Sequence, residues 1–293
     1  MTLCGIGSGT IPGMSCGNTQ WTPLRYLLDD NTANPTAEAV ASPTLIVSNY
    51  PETLDENDLE VFPITLYKCE VALTTDWQRV RLYLWHLNKT GQTINIGVVV
   101  SVDAANVTAT FSNVEKQETP PPNTGFAAQG ICLANAQLFG TLDGNGTGTC
   151  GNAEVVFRTY DPADDELLGL VLEFDVKADA NCNLLFRTVA YEGGDYGVWA
   201  TNPPEPDTEE YPHPRGKWNH SELDVDCGAF DVSPSPTPRL RKILCCNKLG
   251  AEENRFPKDM NDQFGSRLRG LFGANLTYKC AITSEEASGM LHV

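Results

Sequence analysis

Trp77-Gln-Arg-Val-Arg-Leu-Tyr-Leu-Trp-His-Leu87, Asn88-Lys-Thr-Gly-Gln92 and Thr93-Ile-Asn-Ile-Gly-Val-Val-Val-Ser-Val102 form the stretch whose reading decides the fold. In the first limb Val80, Leu82 and Leu84 share one face, and Arg79, Arg81 and Tyr83 share the other. In the second limb Ile94, Ile96, Val98, Val100 and Val102 lie opposite Thr93, Asn95 and Ser101. Successive side chains of a strand point to opposite sides, so a period of two marks a strand with one buried face. The link between the limbs contains Gly91, which adopts a positive φ at little cost. The expectation is an antiparallel hairpin over 77–102.

Further strands flank it. Phe62 to Leu73 leads in, and Val107 to Val114 follows. Glu154 to Tyr160, Leu167 to Val176 and Asn183 to Tyr191 repeat the texture, separated by Asp, Gly, Asn and Pro clusters. Phe126 to Phe139 fits strand or helix. Val, Phe, Tyr and Thr dominate the strands, as a pleated half-buried surface prefers. The fold class expected is all-β: an antiparallel β-sandwich or jelly roll with an irregular N-terminal arm and a short C-terminal extension.

Three segments result. Residues 1–60 read as the arm, punctuated by Pro12, Pro23, Pro35, Pro43 and Pro51, with Trp21 and Tyr26 as apolar anchors and Thr44 to Ser48 as its one short strand. It either clamps a neighbouring subunit or wraps its own domain. Residues 61–232 form the sandwich, including a Pro-rich polar loop over 201–220 and a last strand near Ser221 to Val232. Residues 233–293 are a linker and a basic segment, with a strand at Asn275 to Thr283. The chain of 293 residues carries 20 basic and 38 acidic residues, a net −18. From Arg239 onward the balance inverts to nine basic against six acidic residues, which suits docking on an acidic surface.

Charge and hydropathy exclude several classes. The acidic surface disfavours direct nucleic-acid binding. No apolar run approaches the roughly 20 residues that span a bilayer. The N-terminus shows neither a basic start nor an apolar run, so synthesis without secretion is expected. The ten cysteines, among them the vicinal Cys245 and Cys246, permit up to five disulfides or buried free thiols. Cys245 and Cys246 are read as structural or intersubunit bridges if oxidised.

Asp143-Gly-Asn145-Gly with Glu154 has the outline of a calcium loop, but a glycine-rich turn fits better. His213 and His220 do not match a zinc-ligand spacing. Trp199, Tyr211, His213, Trp218 and His220 instead suggest an exposed contact or glycan-stacking surface. Asp164-Asp165-Glu166 and Glu209-Glu210 are carboxylate runs of the kind used in glycoside hydrolysis, read as solvated charge. No nucleophile elbow, phosphate loop or dinucleotide fingerprint occurs. No catalytic residue, metal ligand or cofactor is therefore expected.

The run Leu84 to Gly97, with Pro214-Arg-Gly-Lys-Trp-Asn-His-Ser221, resembles cyanobacterial surface β-sandwich proteins of unknown function over about residues 60–230. The whole chain, β-rich with an irregular arm, also resembles a bacteriophage virion component. That second resemblance implies a tail, neck, fibre or capsid-decoration protein, located in the virion. It would be homo-oligomeric and would contact other subunits of the particle, with a host-surface glycan as a further partner. Alternatives are a carbohydrate-binding surface module, extracellular or on the cell surface, or a polysaccharide hydrolase.

Overall fold

The structure, a computed structural model, describes residues 36–39, 42–60, 62–119, 126–138, 140–193, 215–219, 221–231 and 275–283. Its elements run β1 (Thr36–Ala39), β2 (Thr44–Ser48), β3 (Thr53–Asp55), α1 (Glu56–Leu59), β4 (Ile64–Leu73), β5 (Gln78–Lys89), β6 (Asn95–Val102) and β7 (Ala109–Glu118). They continue with α2 (Phe126–Leu138), β8 (Asp143–Cys150), β9 (Val155–Tyr160), β10 (Leu167–Ala178), β11 (Cys182–Tyr191), β12 (Arg215–Trp218), β13 (Glu222–Asp231) and β14 (Asn275–Thr283). The protein is an all-β sandwich. The larger sheet has the order β12-β2-β5-β10-β7-β8, with β3 also paired to β5. The smaller has the order β4-β11-β6-β9. A third sheet, β1-β13-β14, gathers strands from near both ends of the chain.

The faces read from the period-two pattern are the faces observed. Val80, Leu82 and Leu84 of β5 and Ile96, Val98, Val100 and Val102 of β6 are all buried in the main core. Phe111, Phe157 and Phe174 join them, with ring centroids 4.6–5.5 Å apart. Each such side chain contributes about 1.5–3 kcal/mol by leaving water.

The pairing differs from the expectation. β5 and β6 are not a hairpin. β5 pairs with β10, Leu84 opposite Leu170, whereas β6 pairs with β11, Ile96 opposite Ala190. The two strands lie in opposite sheets and meet face to face across the core. The physical reason is local. Asn88 is buried at the point where β5 ends. Its Oδ1 accepts from the Thr90 N–H (3.0 Å) and the Thr90 hydroxyl (2.8 Å), bending the chain. Its Nδ2 donates to Gln92 O (2.7 Å) and Pro162 O (3.0 Å). Gly91 takes φ +79°, and its N–H donates to Asp164 Oδ1 at 2.9 Å. The link is thus an arch anchored to the β9–β10 connection, not a turn closed on itself.

The 1–60 boundary also shifts. β2 is an interior strand between β12 and β5, with Leu45, Ile46, Val47 and Ser48 buried. The sandwich therefore begins before residue 61. Likewise β14 is no detached extension, since it pairs in parallel with β13. Residues 126–138 resolve as helix α2, whose Leu133 covers Tyr83, Trp85 and Val171 on the outer face of the larger sheet.

Asn88→Ala removes the side chain that ties both crossings. Buried Pro162 O loses a donor, so we expect a loss of about 3 kcal/mol in denaturant unfolding. Asn88→Asp keeps the Thr90 bonds but not those to Gln92 and Pro162, and should be comparably destabilised.

Candidate functional site

A fully buried polar group lies where β2, β5 and β11 meet across the core. Ser48 ends β2 and points inward, and His86 and Thr188 are inward positions of β5 and β11. All three are fully buried. Ser48 Oγ lies 3.1 Å from His86 Nε2 and 2.9 Å from Thr188 Oγ1. His86 Nδ1 lies 2.7 Å from Pro51 O. A carbonyl only accepts, so Nδ1 carries the proton and donates. Nε2 then accepts from the Ser48 hydroxyl, which in turn accepts from Thr188. Each polar group along this chain is satisfied.

The arrangement has the outline of a nucleophile and base. Its chemistry is limited by enclosure. A backbone carbonyl, not a carboxylate, orients His86, and neither Ser48 nor His86 is exposed. Burial drives the His86 pKa down to about 4, a trend that the interactions with the backbone of Pro51 and of Ser48 oppose and nearby Arg215 reinforces. The imidazole is neutral and structural at ordinary pH.

One wall of this seam is β12. Arg215 is fully buried; its Nη1 donates to Leu66 O at 2.7 Å, and its guanidinium lies 5.1 Å from the Tyr50 ring centre. Lys217 Nζ donates to Glu70 O at 2.6 Å. Gln78 Nε2 donates to Ala72 O at 2.7 Å. All three acceptors lie on β4, which ends the smaller sheet. An open strand edge invites pairing with another chain, and here side chains occupy it.

The residues singled out in the sequence fare differently. Trp218 is not an exposed platform: it is 7 % exposed, packed with Leu45, Val47 and Trp85. The reason is that residues 215–218 are not loop but strand β12, paired to β2 with Trp218 opposite Leu45. Trp199, Tyr211, His213, His220, Trp21, Tyr26, Cys245 and Cys246 lie outside the described residues, as do Glu209 and Glu210. Asp143 and Asn145 are exposed on edge strand β8, and Glu154 pairs with Arg187. The glycine-rich run is neither a calcium loop nor a turn. A Cβ at Gly146 would stand 2.8 Å from Arg158 Nη2, so the glycine admits that side chain, which stacks on Phe157. Asp164 accepts from Gly91, Asp165 pairs with Lys89, and Glu166 accepts from the Ala163 N–H. These carboxylates hold loops together.

Among the described residues, no group of three or more His, Cys, Asp or Glu side chains is placed to hold a metal ion. Also among them, no helix is long and apolar enough to cross a membrane. Among the described residues Cys69, Cys150 and Cys182 are free thiols, and Cys132 is disulfide-bonded. Burial pushes Cys69 up to about 12 and Cys150 up to about 11.

Sequence reasoning missed the Ser48–His86–Thr188 chain. The signal was present: His86 and Asn88 continue the inward parity of Val80, Leu82 and Leu84. No protein-family model matches this sequence, and no curated protein matches it.

The buried imidazole has a pH consequence. Its folded pKa lies below the unfolded value, so the unfolded chain binds the proton first as pH falls. Its contribution is complete above about pH 6.5 and is lost between there and about pH 4, by roughly 3 kcal/mol. Urea unfolding across this range should show that decline, and His86→Gln should flatten it.

Proposed function

We propose that this chain is a non-enzymatic structural subunit of a virion or a similar extracellular particle, acting through contacts with other subunits. The observation that carries the reading is the strand order. Strands β4-β11-β6-β9 face β5-β10-β7-β8, and from β4 to β11 successive strands change sheets at every step except β7 to β8. This alternation supports a jelly-roll reading of the sandwich, an architecture that capsid proteins share with lectins and cupins. The fold alone does not select among these.

Three further observations favour the particle. The Ser48–His86 pair and the carboxylates at 164–166 are absorbed by internal bonding, which weakens the hydrolase reading. Trp218 is absorbed by packing, which takes one of three aromatics from the glycan platform. The sheet β1-β13-β14 adds strands from near both chain ends to the sandwich framework, the kind of appendage through which subunits clamp one another.

Native mass spectrometry and sedimentation of the purified chain test this. The expected result is a defined homo-oligomer, with the chain recovered in particle fractions. A monomer at every concentration, absent from particles, would overturn it.

A further inference from the structure

Strand β8 ends the larger sheet: β7 pairs with one side of it, and among the described residues no strand pairs with the other. That edge meets water, with Asp143, Asn145, Thr147 and Thr149 all exposed. The opposite side of the sandwich is closed, because side chains of β12 and β5 occupy carbonyls of β4. Open backbone N–H and C=O groups along an edge are a template for another strand.

The end of β8 is regular enough to take one. An extra residue lies on β8 between Asp143 and Gly146, where Gly144 takes φ +125°. From Gly146 to Cys150 the extra residue lies on β7 instead, so this part of β8 runs without a bulge. Thr147 and Thr149 stand on the outer face. Gly148 turns inward, where an added Cβ would meet the Phe157 ring at 3.4 Å.

Charge and register choose the occupant. No charged residue occurs between Asp143 and Glu154, and Asp143 itself lies opposite Lys116 of β7. Two copies of a chain with a net −18 repel over most approaches, and a neutral edge lets them meet. An antiparallel strand can complete itself about a two-fold axis. For outer face to continue outer face, that axis must pass through a residue. Centred on Gly148, it sets Thr147 opposite the second copy's Thr149 and Gly146 opposite its Cys150, which uses the whole regular stretch. Thr–Thr pairs across strands are favourable. A foreign peptide would be selected by pockets for its alternate side chains, and alternating glycine and threonine build no such pocket.

We propose that β8 is a homodimer edge: residues 146–150 of two copies pair antiparallel about a two-fold axis at Gly148, joining their seven-stranded sheets into one. This rests on the particle reading and locates one of its subunit contacts. Self-pairing consumes both edges, so the contact closes at two copies and any larger assembly uses other surfaces.

Sedimentation velocity of the full chain tests this with charges placed at the two threonines. Wild-type protein should dimerise. Thr147→Lys with Thr149→Lys sets cations opposite one another and should weaken association by about tenfold or more. Thr147→Glu with Thr149→Glu should do the same, and mixing the two variants should restore a dimer. Thr147→Lys with Thr149→Glu should dimerise alone, because in this register each cation faces a carboxylate. Amide hydrogen exchange of the wild-type chain reads the same edge without substitution: exchange at Gly146 to Cys150 should slow as concentration rises through the dimerisation range. An oligomer unaffected by the lysine pair, no rescue on mixing, or concentration-independent exchange over 146–150 would overturn the β8 pairing and leave the particle reading standing. A wild-type monomer at every concentration would overturn the pairing, and its absence from particles would overturn the particle reading as well.

Discussion

A single buried amide holds the topology. Asn88 bends the chain through Thr90 and bolts the bend to Pro162 in the neighbouring connection. The backbone reinforces the bolt: Asn88 N–H donates to Glu166 O at 2.9 Å, and Asp165 N–H donates to Asn88 O at 2.8 Å. Two sheet-to-sheet crossings, β5 to β6 and β9 to β10, therefore become one unit. With β5 in one sheet and β6 in the other, their apolar faces have only each other to cover them. The sandwich follows from that.

Around this core the outer faces are also used. On the larger sheet, Tyr83 and Trp85 stack with centroids 6.0 Å apart in the cluster containing Leu133 of α2. Beside them Arg79 bonds Glu173, Asp175 and Glu115, and Arg81 bonds Glu173 at 2.5 Å. Cations are scarce in this chain, yet Arg81, Arg187 and Arg215 are all buried. A buried charge is tolerated only when paired or hydrogen-bonded. Arg81 has Glu173, Arg187 has Glu154, and Arg215 has Leu66 O and the face of Tyr50. Drawing these cations inward leaves the surface more acidic than the net charge alone suggests, which bears on how copies approach one another.

The sequence showed the strands and their faces well. Val80, Leu82, Leu84 and the Ile96 to Val102 series sit where alternation puts them, and β14 keeps its expected bounds. Pairing was not legible, because alternation is identical for a hairpin and for an arch. What separates the two is Asn88 binding a carbonyl from far along the chain, and no local pattern encodes a distant partner. β2 was visible as a short strand, but its interior position depends on β12, whose Pro-rich surroundings read as loop. Trp218 was misread for the same reason: once its segment joins β2, its indole faces Leu45 and Trp85 instead of water. His86 was legible in principle, as a polar residue at an inward position, which demands a buried partner.

Backbone nuclear Overhauser effects between strands test the central claim most directly. A hairpin closed by residues 88–92 would set the Leu84 backbone beside Ile96. The arch instead sets Leu84 beside Leu170 and Ile96 beside Ala190. Strong Leu84–Leu170 and Ile96–Ala190 backbone contacts, with none between the backbones of Leu84 and Ile96, are the predicted result. Backbone contacts running directly from β5 to β6 would contradict the account.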